Sequence, residues 1–275
     1  MVDVLTVLLI SISAGLLGSL IGLGGGFIMI PALVLLGVPL KYAIAASMVT
    51  IIATSSGSAA SNVKERMVNL RAAMYLEMFT VVGAIAGASV TSLIAPRILY
   101  FFFAAFLLTS FYGIRKYARE DILAGARQDR LARWLNLQGS YYDKKLAKQV
   151  DYRLTKPALA GPGMFVAGVA AGMLGIGAGA FKVSVQELIL GMPSKVATAT
   201  SNFIIGMTAL AGASVYFFSG LLYLDLAAPM LIGTTVGALL GGRTLNKFSG
   251  RALRKLFLIV AVLAIIEMLY KGVTP

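Results

Sequence analysis

PALAGPGMFVAGVAAGMLGIGAGAFKVSVQELILGMP, residues 157–193, is a run of 37 residues with only two charges, Lys182 and Glu187. At ~1.5 Å rise per residue, ~33 helical residues reach ~50 Å, far beyond a hydrocarbon core of ~30 Å. The run is too long for one crossing, and Gly175-Ile-Gly-Ala-Gly179 interrupts it near its middle. It therefore reads as a helical hairpin: one helix in, a glycine break, a shorter helix back. Val4 to Leu40 repeats the situation with 37 uncharged residues broken at Gly22-Leu-Gly-Gly-Gly26.

The rest of the chain agrees with a bilayer as its solvent. Charged residues are 13% of the 275, about half the usual ~25%, too few to cover a soluble surface of this size. Six further apolar segments follow: 42–63, 72–96 (with Glu77), 98–114, 196–224, 226–242 and 256–270 (with Glu267). Cys and His are both absent, which excludes structural zinc, a thiol switch and Ser-His or Cys-His catalysis. No intramembrane pair of carboxylates is spaced along one helix for acid–base work, so an enzyme is not expected. The N-terminus has Asp3 and no Lys or Arg, unlike a secretory signal, and is read as part of the fold.

The chain repeats itself. Gly37–Phe103 aligns on Gly191–Phe257 at an offset of 154 with 19 of 67 positions identical and no gap, including Pro39/Pro193, Lys41/Lys195, Ser47/Ser201 and Gly83/Gly237. One residue of slip brings Gly22, Gly24 and Gly26 onto Gly175, Gly177 and Gly179. The predicted organisation is a first transmembrane repeat (1–114), a connector (115–156) and a second repeat (157–275). The connector holds 11 Lys and Arg against 5 Asp and Glu, and reads as cytoplasmic. Ile122, Leu123, Leu131, Trp134 and Leu135 offer it an interfacial helix, though a plain basic linker explains the composition as well.

Crossing parity makes the repeats inverted. The loops 64–71 and 243–255 are basic and read inside, whereas 219–225 has no basic residue and reads outside. These assignments agree only if each broken segment returns to the side it came from. The fold class that follows is an all-α polytopic membrane protein. It has two inverted-topology repeats, each a glycine-broken hairpin plus three transmembrane helices, giving eight apolar segments and up to ten helices, with both termini outside. Arg97, in a loop assigned outside, fits this least well.

Irregular backbone at membrane depth is tolerated only where protein or a cavity satisfies it. Each break is followed by a short helix, whose N-terminal N–H groups and dipole favour an anion. The backbone candidates for such a site are Gly24, Gly25, Gly26, Gly177 and Gly179. Gly175-x-Gly-x-x-Ala180 formally matches a dinucleotide fingerprint but lacks the strand and the acidic residue that make one. The GxxxG pairs outside the breaks (Gly83/Gly87, Gly168/Gly172, Gly233/Gly237) read as helix packing. Ser47, Ser201 and Asn202 offer donors near the breaks, against the plainer reading of hydroxyls bonded back to their own helix. Lys182 is an intramembrane cation beside the second break, a partner for an anion or for Glu187. Glu77 is the proton-coupling candidate, with a structural partner as the plainer role.

These motifs resemble the sulfite exporter TauE/SafE family. Its Gly-x-Gly-Gly-Gly, Gly-x-Pro and Ala-x-Ser elements stand here as Gly22–Gly26, Gly37-Val-Pro39 and Ala46-Ser47, and again as Gly175–Gly179, Gly191-Met-Pro193 and Ala199-Thr-Ser201-Asn202. The resemblance spans both repeats. It implies a permease for sulfite, thiosulfate or an organosulfonate such as sulfoacetate in the cytoplasmic membrane, working by alternating access. The expected partners are a small sulfur-containing anion and the lipid bilayer, with no cofactor, no metal and no nucleic acid; the net charge of +13 is accounted for by the connector and loops. An anion channel and a non-transporting membrane scaffold remain the alternative functions.

Overall fold

The computed structural model describes residues 3–21, 25–116, 128–143, 148–244 and 250–274. Five helices form the first set: α1 (Val4–Ile21), α2 (Gly26–Leu35), α3 (Leu40–Lys64), α4 (Leu70–Leu93) and α5 (Pro96–Lys116). A short helix α6 (Arg130–Trp134) and two strands, β1 (Gln138–Asp143) and β2 (Lys148–Arg153), come next. The second set is α7 (Pro157–Leu174), α8 (Gly179–Leu188), α9 (Ser194–Phe218), α10 (Leu224–Thr244) and α11 (Gly250–Val273). Every helix of the second set starts 153 or 154 positions after its counterpart, the spacing of the sequence repeat. Among the described residues, α3, α4, α7 and α9 are long and apolar enough to cross a membrane. α2 and α8 have ten residues each, ~15 Å of helix, and can only penetrate part-way.

The two sets interlock. α1 lies along α10, α4 along α7, α3 crosses α9, and α5 lies against α11. Exchanging the two sets maps these contacts onto one another, so the molecule has an approximate two-fold axis. Small residues make the long seams. On α4, Gly83 and Gly87 lie against the backbone at Phe165 and Val169 of α7, while Gly168 and Gly172 lie against Thr80 and Ala84 of α4. The residue numbers rise together, so α4 and α7 are parallel. Gly233 and Gly237 of α10 meet Leu8 and Ile12 of α1 in the same parallel sense. By contrast Ser55 of α3 meets Gly206 of α9, and Met48 meets Gly212, so these two equivalent helices are antiparallel.

Apolar bulk points outward. Met74, Met78, Val82 and Ile85 follow one another at helical spacing on the exposed face of α4, while its buried face is mostly small: Ala72, Ala73, Thr80, Gly83, Ala84, Gly87, Ala88 and Thr91, with Leu76 the one large side chain. A soluble helix would be patterned the other way.

The chain is helical as expected, and the connector adds one small two-stranded sheet to it. β1 and β2 form an antiparallel hairpin with Tyr141 opposite Val150 and Gly139 opposite Tyr152. Tyr141 and Tyr152 face inward and are buried, alternating with exposed neighbours as a half-buried strand requires. They join Leu137, Leu154, Ala72, Leu76, Leu190 and Ala197 in a second apolar cluster beneath the helices. Asn69 ties the parts together. Its Oδ1 accepts from the Ala72 N–H (3.0 Å) as the cap of α4, its Nδ2 donates to the Tyr152 hydroxyl (3.2 Å), and its own N–H donates to Thr200 Oγ1 (3.1 Å). Burial pushes the Tyr152 phenol above its ordinary value of 10, while the bond from Asn69 pulls the other way. α6 has five residues and leaves Trp134 exposed; Ile122 and Leu123 lie outside the described residues.

Arg97 finds its explanation here. Its Nε donates to the carbonyl of Gly272 (3.0 Å) in the last turn of α11, where a cation meets the negative end of the helix dipole. Lys41 does the same for Ser92 at the end of α4 (2.9 Å). Both cations are held by helix C-termini rather than left to a basic loop.

Candidate functional site

The two glycine breaks meet at the centre of the molecule. Gly26 sits so close to Gly175 that a Cβ there would lie 2.6 Å from the Gly175 carbonyl oxygen and 3.1 Å from the Ile51 side chain. Gly177 rests against Ile205, the repeat-mate of Ile51. Gly25, Gly26, Gly177 and Gly179 are all buried, whereas Gly24 lies outside the described residues. Gly25 and its mate Ala178 both adopt left-handed backbone, φ 59° and 49°, and neither α2 nor α8 has a side-chain cap on its first turn. For Ala178 that conformation costs about 1–2 kcal/mol, so the break geometry is imposed by the packing around it.

The carbonyls that α7 leaves unpaired at its end are satisfied by other helices, as a break inside a membrane requires. The Tyr216 hydroxyl donates to Gly172 O (2.6 Å), Thr91 Oγ1 to Met173 O (3.2 Å) and Ser47 Oγ to Gly175 O (2.7 Å). Ser47 also lies 2.8 Å from Ile44 O. Its single proton is therefore committed to backbone, and Ser47 acts in this conformation as a clamp on the second break. Ser201 stands towards Gly179 O at 3.4 Å, and Asn202 beside it is half-buried. The other buried and half-buried hydroxyls of α3 bond back to their own helix. Thr50, Thr54 and Ser58 bond to carbonyls three or four residues back.

The charges form a second group, on the α8 side of the breaks. Lys182 has no exposed surface and donates from Nζ to Thr208 Oγ1 of α9 (2.9 Å). Thr208 reaches Thr80 Oγ1 of α4 (3.3 Å), and Thr80 bonds Glu77 O one turn back (3.0 Å). Glu77 stands one turn before Thr80 on α4, at the far end of this chain of contacts. Glu77 Oε1 is buried without a hydrogen-bond partner among the described residues. Gln186, one turn beyond Lys182 on α8, is fully buried, and neither its Oε1 nor its Nε2 has a partner among the described residues. Each such orphan costs about 1–3 kcal/mol.

The sequence-predicted residues thus fall into two sets. Gly25, Gly26, Gly177, Gly179, Ser47 and Ser201 build the crossing of the breaks, while Lys182 and Glu77 belong to the polar cluster beside it. Gln186, Thr80 and Thr208 escaped the sequence reading. A readable signal existed for Gln186, as for Lys182 and Glu77: their repeat-mates are Leu33, Met29 and Leu231, so each of the three is polar in one repeat and apolar in the other.

Comparison with known proteins places this architecture. The family model described as sulfite exporter TauE/SafE matches residues 7–268. A probable membrane transporter protein of Bacillus subtilis (strain 168), YunE, is 26% identical over 268 residues, covering 94% of this chain and 95% of its own. A second probable membrane transporter protein of the same organism, YdhB, is 24% identical, covering 96% and 99%. No solved structure matches the chain.

Proposed function

Because the chain belongs to the sulfite exporter TauE/SafE family, and is a multi-pass membrane transporter, we propose that it moves a sulfur-containing anion across the cytoplasmic membrane by alternating access. Sulfite, thiosulfate or an organosulfonate such as sulfoacetate is the cargo. The observation that carries the reading is the meeting of Gly26 with Gly175 at the centre of the molecule, beside a fully buried Lys182. Two uncapped helix N-termini and a cation near one point are the ingredients of an anion site at mid-membrane.

The two repeats are inverted in the membrane. Support comes from the antiparallel contact of α3 with α9: equivalent helices that cross a bilayer antiparallel need a two-fold axis lying in its plane. With 64–71 and the connector (115–156) on the cytoplasmic side, both termini lie outside. The halves 1–114 and 157–275 rock about the anion, and Gly24, Gly25, Gly26, Gly177 and Gly179 offer backbone N–H groups while Ser201, Asn202 and Lys182 add side-chain donors. Ser47 holds the second break in shape. An inside-negative potential favours export by ~2.3 kcal/mol per charge per 100 mV; import would need a coupled proton, with Glu77 as its carrier.

The test is flux in proteoliposomes. Saturable movement of sulfite, thiosulfate or sulfoacetate in preference to chloride is expected, and Lys182→Met should abolish it. Equal movement of chloride and the sulfur anions would refute the cargo, and unitary currents would replace the transporter with a channel.

A further inference from the structure

The polar cluster exists on one side only. Lys182 joins the Thr208–Thr80 contact between α9 and α4, Glu77 stands one turn before Thr80, and Gln186 follows Lys182 by one turn of α8, whereas the aligned positions of the other repeat hold Met29, Leu231 and Leu33 with Thr54 and Thr234. Met29 and Leu33 are as fully buried as Lys182 and Gln186. The same fold is therefore packed with apolar residues at one end of the axis.

Their hydrogen-bonding inventory says what they are for. Lys182 Nζ has three donors and spends one on Thr208. Gln186 offers two donors at Nε2 and an acceptor at Oε1, all without a partner among the described residues, and Glu77 Oε1 is a second unmatched acceptor. Lys182 and Gln186 are four residues apart and share a face of α8. An oxyanion that only accepts would pair with Lys182 and with Gln186 Nε2, yet leave two buried acceptors orphaned.

Building on the anion-transport reading, we propose that this one-sided cluster is the substrate-selecting subsite. Gln186 is its specificity-determining residue, and the preferred ligand is an oxyanion that also carries a hydrogen-bond donor: a hydroxyalkyl sulfonate or a protonated oxyanion. The charged oxygens take Lys182 and Gln186 Nε2, and the ligand's O–H is accepted by Gln186 Oε1 or Glu77 Oε1. A site with a buried polar group rejects the analogue that cannot pair with it.

The experiment compares 2-hydroxyethanesulfonate with ethanesulfonate, matched in charge and differing by one hydroxyl. Binding is measured by calorimetry on purified protein in nanodiscs, and competition against labelled sulfite in proteoliposomes. Wild type should prefer the hydroxylated sulfonate by roughly 10- to 100-fold, the range expected for one buried pairing. Gln186→Leu supplies the residue that the first repeat carries at Leu33. It should remain folded by size-exclusion profile, bind both sulfonates more weakly through the loss of the Nε2 donor, and lose the preference between them to within about twofold. Equal affinities in wild type, or a preference unchanged in Gln186→Leu, would overturn the role of Gln186 while anion transport stood. Binding of neither sulfonate together with no sulfite flux would remove the transport reading and this subsite with it. As a second variant, Gln186→Met fills the site with a chain of similar length; a preference that survives it overturns the proposal even if the leucine variant misfolds.

Discussion

Replacing Gly87 by alanine tests whether the glycine seam sets the distance between α4 and α7. A Cβ at Gly87 would land on the carbonyl oxygen of Val169 and 3.0 Å from the Met173 nitrogen, all rigid backbone, so no side chain can swing away. Restoring ordinary contact requires the helices to part by roughly 1 Å, a gap that already forfeits a quarter to a half of each dispersion contact along the seam. Overpacking of this kind costs about 1–3 kcal/mol. At ~2–4 °C per kcal/mol, the melting temperature in detergent should fall by roughly 2–12 °C. Gly57→Ala is the control. It stands in a helix interior with nothing within 4 Å of the added methyl, so stability should hold or rise. The shift of α4 should also stretch the 3.3 Å contact between Thr80 and Thr208, so sulfite flux should fall along with stability. If Gly87→Ala melts and transports like Gly57→Ala, the seam is not what positions these helices.

Three further outcomes are expected. Lys182→Met removes the charged donor on Thr208 Oγ1 and should cost about 1.5–3 kcal/mol in thermal melting, whereas adding Glu77→Leu, which removes the orphaned Oε1 and completes the residues of the other repeat, should recover part of that loss without regaining transport; a double variant no more stable than the single would contradict a coupling of the two. Ser47→Ala removes the donor on the Gly175 carbonyl and should cost about 1–3 kcal/mol and most of the flux, measured by thermal melting and proteoliposome uptake, with unaltered flux arguing against the clamp. The connector should loosen in alkali: the folded state holds the Tyr152 phenol above 10, so its contribution is complete below pH ~10 and is lost as pH rises beyond it, seen as proteolysis in 115–156; Tyr152→Phe should remove that alkaline step, and its persistence would assign the step to another group.

The sequence determined the class, the repeat and the places where the helices break. Chain length against bilayer thickness is a one-dimensional argument, so the run 157–193 could be split into α7 and α8 without coordinates, and the observed break falls at Gly175–Ala178. The offset of 154 likewise survives into the helix starts, because a gapless register is a property of the chain. The GxxxG pairs on α4, α7 and α10 were legible as packing sites for the same local reason: without a Cβ, backbones can approach.

What only the tertiary structure decided is which group meets which. That Ser47 is spent on the Gly175 carbonyl, 128 positions away, follows from the crossing of α3 over the second break, and no local pattern encodes it. The hairpin β1–β2 was hidden by a composition that reads as linker. Its tyrosines become a core only because Ala72, Leu190 and Ala197 of distant helices lie over them. The place of Lys182 has the same origin: its Nζ reaches Thr208 of α9, which in turn meets Thr80 of α4, a link across three helices that no local pattern encodes.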